Sequence, residues 1–99
     1  MSEANAGSIK MKYIPLNHGK YAIVGDEDYE ELALFKWRAT FITGNWYACF
    51  HDPEEGSIYM SRYIAGFPDG MVYHVNRDSL DNRKSNFVIH YAKAQKEKS

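Results

Sequence analysis

The sequence predicts an α+β fold, in which a small antiparallel sheet with one packed helix is followed by a ββα unit. Short β-type runs separated by turns that contain Gly and Asn fill most of residues 11–66, and one stretch between them has helical spacing. From residue 67 to 98 the order is strand, polar loop, strand and basic helix. Residues 1–10 are small and polar, so we interpret them as a flexible leader before a single domain at 11–98.

A hairpin and an acidic helix are the first predicted elements. The runs 13–16 and 20–24 flank residues 17–19 (Asn-His-Gly), and Asn and Gly favour the positive φ angles of a tight hairpin turn. Asp26 suits the N-cap of a helix that we predict through Trp37, because Asp and Glu crowd its first turns, where the helix dipole favours negative charge. One face of this helix carries apolar residues at helical spacing: Tyr29, Leu32 and Phe35.

Three strands and a helical turn come next, followed by the elements of the ββα unit. Alternating and aromatic-rich runs bounded by Gly, Pro, Asn and Asp indicate them. We assign strands to residues 38–42, 46–51 and 57–61, turns to 43–45 and 52–56, and a helical turn to 62–65 that ends at Gly66. The ββα unit has strands at 71–75 and 86–90 and a helix at 91–98. We expect the core to contain Trp37, Trp46, Tyr47, Cys49 and Tyr59.

Composition indicates a compact domain in a reducing compartment. Hydrophobic residues make up 44% and aromatic residues 15% of the 99 residues, which is too apolar for a disordered chain. Cys49 is the single cysteine, so we expect neither an internal disulfide nor a cysteine-based zinc site. No apolar run approaches the ~20 residues of a membrane span, and no signal-peptide core lies near the first residue. We therefore expect a cytoplasmic protein with no membrane partner.

Charge divides the chain into an acidic front and a mildly basic end. Residues 1–56 carry five Lys and Arg against nine Asp and Glu, for a net charge of −4, whereas residues 57–99 carry seven against four, for +3. Proteins that grip duplex DNA usually neutralise several phosphates with Lys and Arg. The net charge of −1 is a weak signal for such a protein and fits one that binds a basic partner.

The most distinctive stretch lies between residues 72 and 87. It holds one His, three Asn, two Asp, two Arg and one Lys between two short apolar runs. Fold stability alone rarely requires so many hydrogen-bonding side chains in one place. Part of the stretch also has a purely structural interpretation, because Asp78, Asp81 and Asn82 are residue types that form Asx turns and so hold a loop without chemistry.

This stretch resembles the catalytic loop of HNH-type endonucleases, in the form that small phage homing nucleases carry. The resemblance rests on His-Val-Asn at 74–76 followed by Leu-Asp-Asn-Arg-Lys-Ser-Asn-Phe at 80–87, and it extends over most of residues 11–98. It implies metal-dependent hydrolysis of phosphodiesters, with His74 as the general base and Asn82 as the residue that braces the loop.

The chain departs from this family at the positions that bind the metal. The residue before the base, an Asp in the family, is Tyr73 here, and the aligned residues of the helix are Ala92 and Gln95. A phenol at neutral pH lacks the negative charge that Mg²⁺ takes from a carboxylate. We therefore assign no metal ligand and expect no cofactor. A divalent metal is expected only if the protein is a nuclease, and His74 with His90 would then favour a transition metal.

Two surfaces carry the candidate binding residues. Loop position 77, usually Gly in the family, is Arg here. The candidate contacts to nucleic-acid phosphates are Arg77, Arg83, Lys84 and Lys93. The candidate protein-binding surface is the acidic helix start, formed by Asp26, Glu27, Asp28, Glu30 and Glu31, although a helix start of this kind is also common as a solvated face.

Three functions are compatible with these residues. The first is a catalytically inactivated HNH-like protein of a phage or mobile element, which binds a host protein or ribonucleoprotein complex and inhibits a host defence system, as anti-CRISPR proteins do. The second is a metal-dependent DNA endonuclease with a weak or altered metal site. The third is a DNA-binding module that does not cut. All three would act in the host cytoplasm, and a homodimer paired through an exposed edge strand is compatible with each.

Overall fold

The structure, a computed structural model, describes residues 10–91, which form an α+β fold. Its elements in chain order are β1 (Met11–Pro15), β2 (Tyr21–Gly25), α1 (Asp26–Leu32), β3 (Arg38–Ile42), β4 (Asn45–Asp52), β5 (Gly56–Tyr59), α2 (Met60–Ala65), β6 (Met71–His74), β7 (Asp81–Asn82), a 3₁₀ turn (Lys84–Asn86) and β8 (Phe87–His90). Within this range the strands form three small sheets, ordered β1–β2–β7, β3–β4–β5 and β6–β8. The predicted leader, apart from Lys10, and the predicted C-terminal helix, apart from Tyr91, lie outside the described residues.

The first sheet joins the predicted hairpin to the polar loop. β1 pairs antiparallel with β2, and His18 and Gly19 in the connecting turn have φ angles of 57° and 66°, which confirms the hairpin. β7 adds to β2 as a parallel strand, with Asn82 opposite Val24. The sequence did not predict this two-residue strand, because Asp and Asn are poor strand formers and only the contact with β2 holds them extended.

The second sheet is an antiparallel meander of β3, β4 and β5. Thr43 and Gly44 form the turn between β3 and β4 with φ angles of 45° and 89°, the pattern of a type I′ hairpin. Asn45, predicted in the turn, is therefore the first residue of β4. β5 ends at Tyr59, two residues before its predicted end, because the chain there turns into α2, whose first residue Met60 is fully buried.

α1 ends five residues earlier than predicted. It ends at Leu32 rather than Trp37, and Gly25 rather than Asp26 occupies the N-cap, without a capping side chain. The helix ends early because the Leu32 carbonyl accepts the Trp37 indole N–H at 2.8 Å and the Phe35 backbone N–H at 3.1 Å. The hydrogen bond from the Phe35 N–H to the Leu32 carbonyl spans three residues, as in a 3₁₀-helix, and so tightens the last turn. As a result, the chain reverses toward β3 and the Trp37 ring enters the core.

The core collects side chains from the first two sheets and both helices. Its buried members are Ile14, Ala22, Val24, Leu32, Trp37, Ala48 and Met60. The predicted burial of Trp37 and Cys49 is confirmed, with 5% and 6% of these residues exposed. The prediction that Trp46, Tyr47 and Tyr59 belong to the core is wrong, because all three are only half-buried. Tyr47 and Tyr59 line an open groove, and Trp46 packs beside the exposed turn of the first hairpin.

α2 and the segment after it position β6. α2 ends at Gly66, as predicted, with φ 84° at this residue. The Arg62 guanidinium donates to the carbonyls of Pro68 and Gly70 at 2.6 and 2.9 Å, and so shapes the loop that leads into β6. A Cβ at Gly70 would lie 2.6 Å from the His90 carbonyl, so only glycine lets β8 approach here. Among the described residues, no helix is long and apolar enough to cross a membrane.

Replacement of Trp37 by Phe should lower the free energy of unfolding by about 1–3 kcal/mol, because the buried Leu32 carbonyl loses a hydrogen bond and the core loses volume. Urea unfolding followed by circular dichroism measures the change. Trp46→Phe is the matched control, since it shortens the half-buried tryptophan and should cost less than about 1 kcal/mol. Equal losses in the two variants would contradict the role of the Trp37 indole.

Candidate functional site

The fold brings together His74 and Asn82, the two residues that the resemblance assigns to catalysis. His74 is the last residue of β6, and Asn82 lies in β7. The Nε2 atom of His74 lies 2.9 Å from the Oδ1 atom of Asn82. Because an amide oxygen accepts, Nε2 carries the proton, and a neutral His74 keeps Nδ1 as its basic nitrogen. The imidazole meets the Phe87 ring edge to face, with centroids 5.5 Å apart.

β6 and β8 are each one residue shorter than predicted, since Val75 and Asn86 belong to the loop between them.

A buried polar network holds this loop around His74. Asp81, Asn82 and Asn86 are only 2%, 1% and 6% exposed. Asn86 Nδ2 donates to the Asn76 side-chain oxygen at 3.0 Å and to the Asp81 carbonyl at 2.9 Å. Asn76 Nδ2 donates in turn to an Asp81 carboxylate oxygen at 2.9 Å. The three buried side chains therefore all have polar partners, as burial requires, and they give the loop one fixed conformation.

Arg83 and Lys84, two of the candidate phosphate contacts, are occupied by carboxylates of the same chain. Arg83 Nε and Nη2 donate to the two Asp81 carboxylate oxygens at 2.8 and 2.6 Å. These hydrogen bonds hold the pKa of Asp81 below its usual value and raise the pKa of Arg83. Lys84 Nζ lies 3.1 Å from Asp28 Oδ1 in α1. Each of these two cations is therefore already paired with a carboxylate of the chain, which reduces the net positive charge that it offers to a phosphate.

An open groove, the His74 groove, runs along the free edge of β6 and has a cavity volume of about 820 Å³. The second sheet contributes Tyr47 and Tyr59 to its lining, and α2 contributes Arg62. The loop after β6 contributes Arg77 beside His74. No Asp or Glu of the described part of the chain lines the groove, so its charged groups are cations.

Arg77 is a candidate phosphate contact that makes no ion pair with a carboxylate of the described range. No ion pair among residues 10–91 involves it, and Lys93 lies outside that range. The backbone N–H of Arg77 donates to the His74 carbonyl at 3.0 Å, so the two residues are the ends of one tight turn after β6. Its φ angle of 67° lies in the region that glycine adopts most readily, so the backbone here suits the Gly that the HNH family carries at this position.

Tyr73, which stands at the family's metal-binding position, does not share a face with His74. Successive side chains of a strand alternate, so Tyr73 projects from the opposite face of β6. It is 51% exposed, and its ring lies 6.2 Å from the ring of His90. His74 and His90 therefore do not converge on one ion. Within residues 10–91, no three His, Cys, Asp or Glu side chains lie close enough together to hold a metal.

The acidic helix start is partly tied into the fold. Asp26 Oδ1 lies 3.3 Å from Lys12 Nζ, and Glu31 accepts the Tyr63 hydroxyl at 2.6 Å. The latter bond raises the pKa of the Tyr63 phenol. Asp28 pairs with Lys84, as described above. Three of the five candidate protein-binding carboxylates thus have partners within the chain, whereas Glu27 and Glu30 are exposed.

The site residues that come from separate elements were not predicted from the sequence. Tyr47 and Tyr59 were expected in the core and Arg62 was given no role, although all three line the His74 groove. No local pattern marks such residues, because β4, β5 and α2 come together only in the tertiary structure. The one available signal was the surplus of tyrosine, eight in 99 residues, which is more than a small core requires.

The chain matches no family model, no curated protein and no solved structure. Its α+β class follows from the described sheets and helices themselves. The HNH resemblance rests on the residues of the loop, and the helix that would complete a ββα unit lies outside the described range.

Asp81→Asn should remove a pH-dependent part of the stability. The folded pKa of Asp81 lies below the value of about 3.9 in an unfolded chain, so the contribution is fully present above about pH 5 and is lost as the pH falls through the folded pKa. We expect the variant to be about 2 kcal/mol less stable at pH 7 and to differ less from the parent at pH 2. Urea unfolding at both pH values, with exposed Asp69→Asn as the control, tests this. A constant difference across the range would contradict it.

Proposed function

We propose that this protein is a catalytically inactivated HNH-like protein of a phage or mobile element. It binds a host protein or ribonucleoprotein complex and inhibits a host defence system, as anti-CRISPR proteins do. One observation carries the proposal: two of the four candidate phosphate contacts, Arg83 and Lys84, are already paired with Asp81 and Asp28 of the same chain. A site that grips a phosphodiester needs such charges free.

The chemistry around His74 supports the same proposal. A general base contributes about 10²–10⁴-fold to a rate, and phosphodiester hydrolysis also needs a group that stabilises the negative charge developing on oxygen. Tyr73 has a phenol where the HNH family has a carboxylate, and strand alternation directs it to the face of β6 opposite His74. His74 in turn donates its Nε2 proton to a buried amide, Asn82, and so takes part in holding the loop.

The exposed apolar side chains of the β6–β8 hairpin favour a protein as the partner. Met71, Tyr73 and Val88 share one face of the hairpin by strand alternation and are 59%, 51% and 50% exposed. Tyr and Met are enriched at protein interfaces, and neighbouring exposed apolar side chains commonly mark such surfaces.

A plasmid-cleavage assay tests the loss of catalysis. With Mg²⁺, Mn²⁺ or Ni²⁺ we expect no nicking above that of a His74→Ala variant, because the described residues supply a base without a carboxylate partner for the metal. Tryptophan fluorescence of both proteins controls for folding. Cleavage that disappears in the His74→Ala protein would show an active nuclease and remove the proposal.

A non-cutting nucleic-acid binder is the second candidate, and the His74 groove is the observation that favours it. Its lining combines Arg62, His74 and Arg77 with the rings of Tyr47 and Tyr59, and it lacks carboxylates among residues 10–91. Cationic grooves with aromatic side chains suit single-stranded nucleic acids, where bases stack on the rings and cations meet the phosphates.

Arg77→Gly tests this candidate without disturbing the backbone, since φ is 67° there. If the groove binds nucleic acid, fluorescence anisotropy with a labelled oligonucleotide should show weaker binding and a salt slope reduced by about one in the variant. Exposed Lys36→Ala, outside the groove lining, is the matched control. No detectable binding of the parent protein at low salt would exclude this function.

A further inference from the structure

A second cavity, the aromatic cleft, is walled by Phe35, Phe50, Tyr63 and Phe67. Its cavity volume is about 580 Å³, which is within the range of sites that enclose a ligand or an anchoring side chain. The rings meet at centroid distances of 4.9 Å for Phe35 and Phe50, 5.6 Å for Phe35 and Tyr63, and 6.0 Å for Tyr63 and Phe67. The cleft therefore offers a preformed set of aromatic surfaces rather than a loose collection of side chains.

Phe67 is the member of the cleft that the fold itself does not require. It has a φ angle of 53° and is 53% exposed. A bulky residue in the left-handed region costs about 1–3 kcal/mol, whereas glycine adopts it freely. The backbone turn is already defined by Gly66 and by the Phe67 N–H, which donates to the Arg62 carbonyl at 2.8 Å. A glycine would serve this turn, so the ring contributes a contact surface and not the turn.

The rim of the aromatic cleft is acidic. Glu55 lines it, and the Glu31 carboxylate accepts the hydroxyl of Tyr63 at the wall. Arg62, the one cation of the lining within the described residues, donates to the carbonyls of Pro68 and Gly70 and keeps its charge, so the two carboxylates outnumber it at this surface. An occupant that matches this surface is thus apolar at its centre and positively charged at its edges.

We propose that the aromatic cleft binds a protein segment that presents an apolar side chain flanked by Lys or Arg. The proposal rests on the proposed function and gives its site and the chemistry of the partner. Aromatic pockets that enclose an anchoring side chain supply most of the affinity of many interfaces, and charged rims set specificity and association rate. Glu31 connects this site with the acidic helix start, so the two surfaces act together.

The experiment uses the whole chain, isotope-labelled, and two defined probes. The peptide acetyl-Lys-Trp-Lys-amide should shift the amide resonances of Phe35, Phe50, Tyr63 and Phe67 in two-dimensional NMR. The peptide acetyl-Glu-Trp-Glu-amide has the same ring with reversed charge, and it should bind on the order of fivefold more weakly at low salt. Equal affinity of the two peptides would overturn the charge complementarity, and shifts confined to the β6–β8 hairpin or the His74 groove would overturn the site.

Two pairs of variants separate binding from folding. Phe67→Gly should reduce the affinity for the Lys-Trp-Lys peptide at least tenfold without lowering the unfolding temperature, because it removes the ring and relieves the backbone. Phe41→Ala, at another exposed phenylalanine outside the cleft, should leave binding unchanged. Glu55→Gln should weaken binding about two- to threefold, and Glu54→Gln in the same turn should not.

Sedimentation of the parent protein and the Phe67→Gly variant tests a second copy of the chain as the occupant. Self-association that Phe67→Gly abolishes would overturn the proposal in favour of a homodimer, and a monomer in both cases supports it. The outcome is distinguishable from failure of the proposed function. Metal-dependent DNA cleavage would remove the proposed function alone, whereas peptide binding that Phe67→Gly leaves intact would remove this inference alone.

Discussion

Burial of three polar side chains in the loop between β6 and β8 is the constraint on which the candidate site depends. Asp81, Asn82 and Asn86 lie inside the fold, where an unsatisfied polar group costs about 1–3 kcal/mol. Because a small domain is stable by only about 5–15 kcal/mol in total, each of them has to find partners. They find them in Asn76, His74 and the edge of β2, and these contacts tie the C-terminal hairpin to the first sheet.

The same constraint decides which polar residues of the loop are left for function. The Nε2–H of His74 donates a hydrogen bond within the network, and Arg83 and Lys84 form ion pairs with Asp81 and Asp28. Arg77 lies outside the network, at the mouth of the His74 groove. A dense run of polar residues in a sequence has two physical explanations, chemistry or a buried network, and an account of every hydrogen bond separates them. Here most of the run serves the network.

The second sheet and α2 separate two surfaces of different chemistry. The His74 groove is cationic, and the aromatic cleft is apolar with an acidic rim. Tyr59 and Arg62 line both, and Arg62 is fixed by two backbone carbonyls. Burial, together with neighbouring Cys49 and Tyr47, raises the pKa of the Tyr59 phenol, so Arg62 is the charged member of this shared wall. A partner seated in one surface therefore contacts side chains that also shape the other.

The sequence by itself determined the elements that depend on a few neighbouring residues. The turn at 17–19 and the end of α2 at Gly66 were predicted from the residue types, and the turn at 43–45 was predicted apart from Asn45, which belongs to β4. Only the tertiary structure decided the end of α1 and the strand β7, because the first depends on where the Trp37 indole lies and the second on the edge of β2. The ion pair of Lys84 with Asp28 was likewise decided there, because the two residues are distant in sequence and such a pair leaves no local sequence pattern.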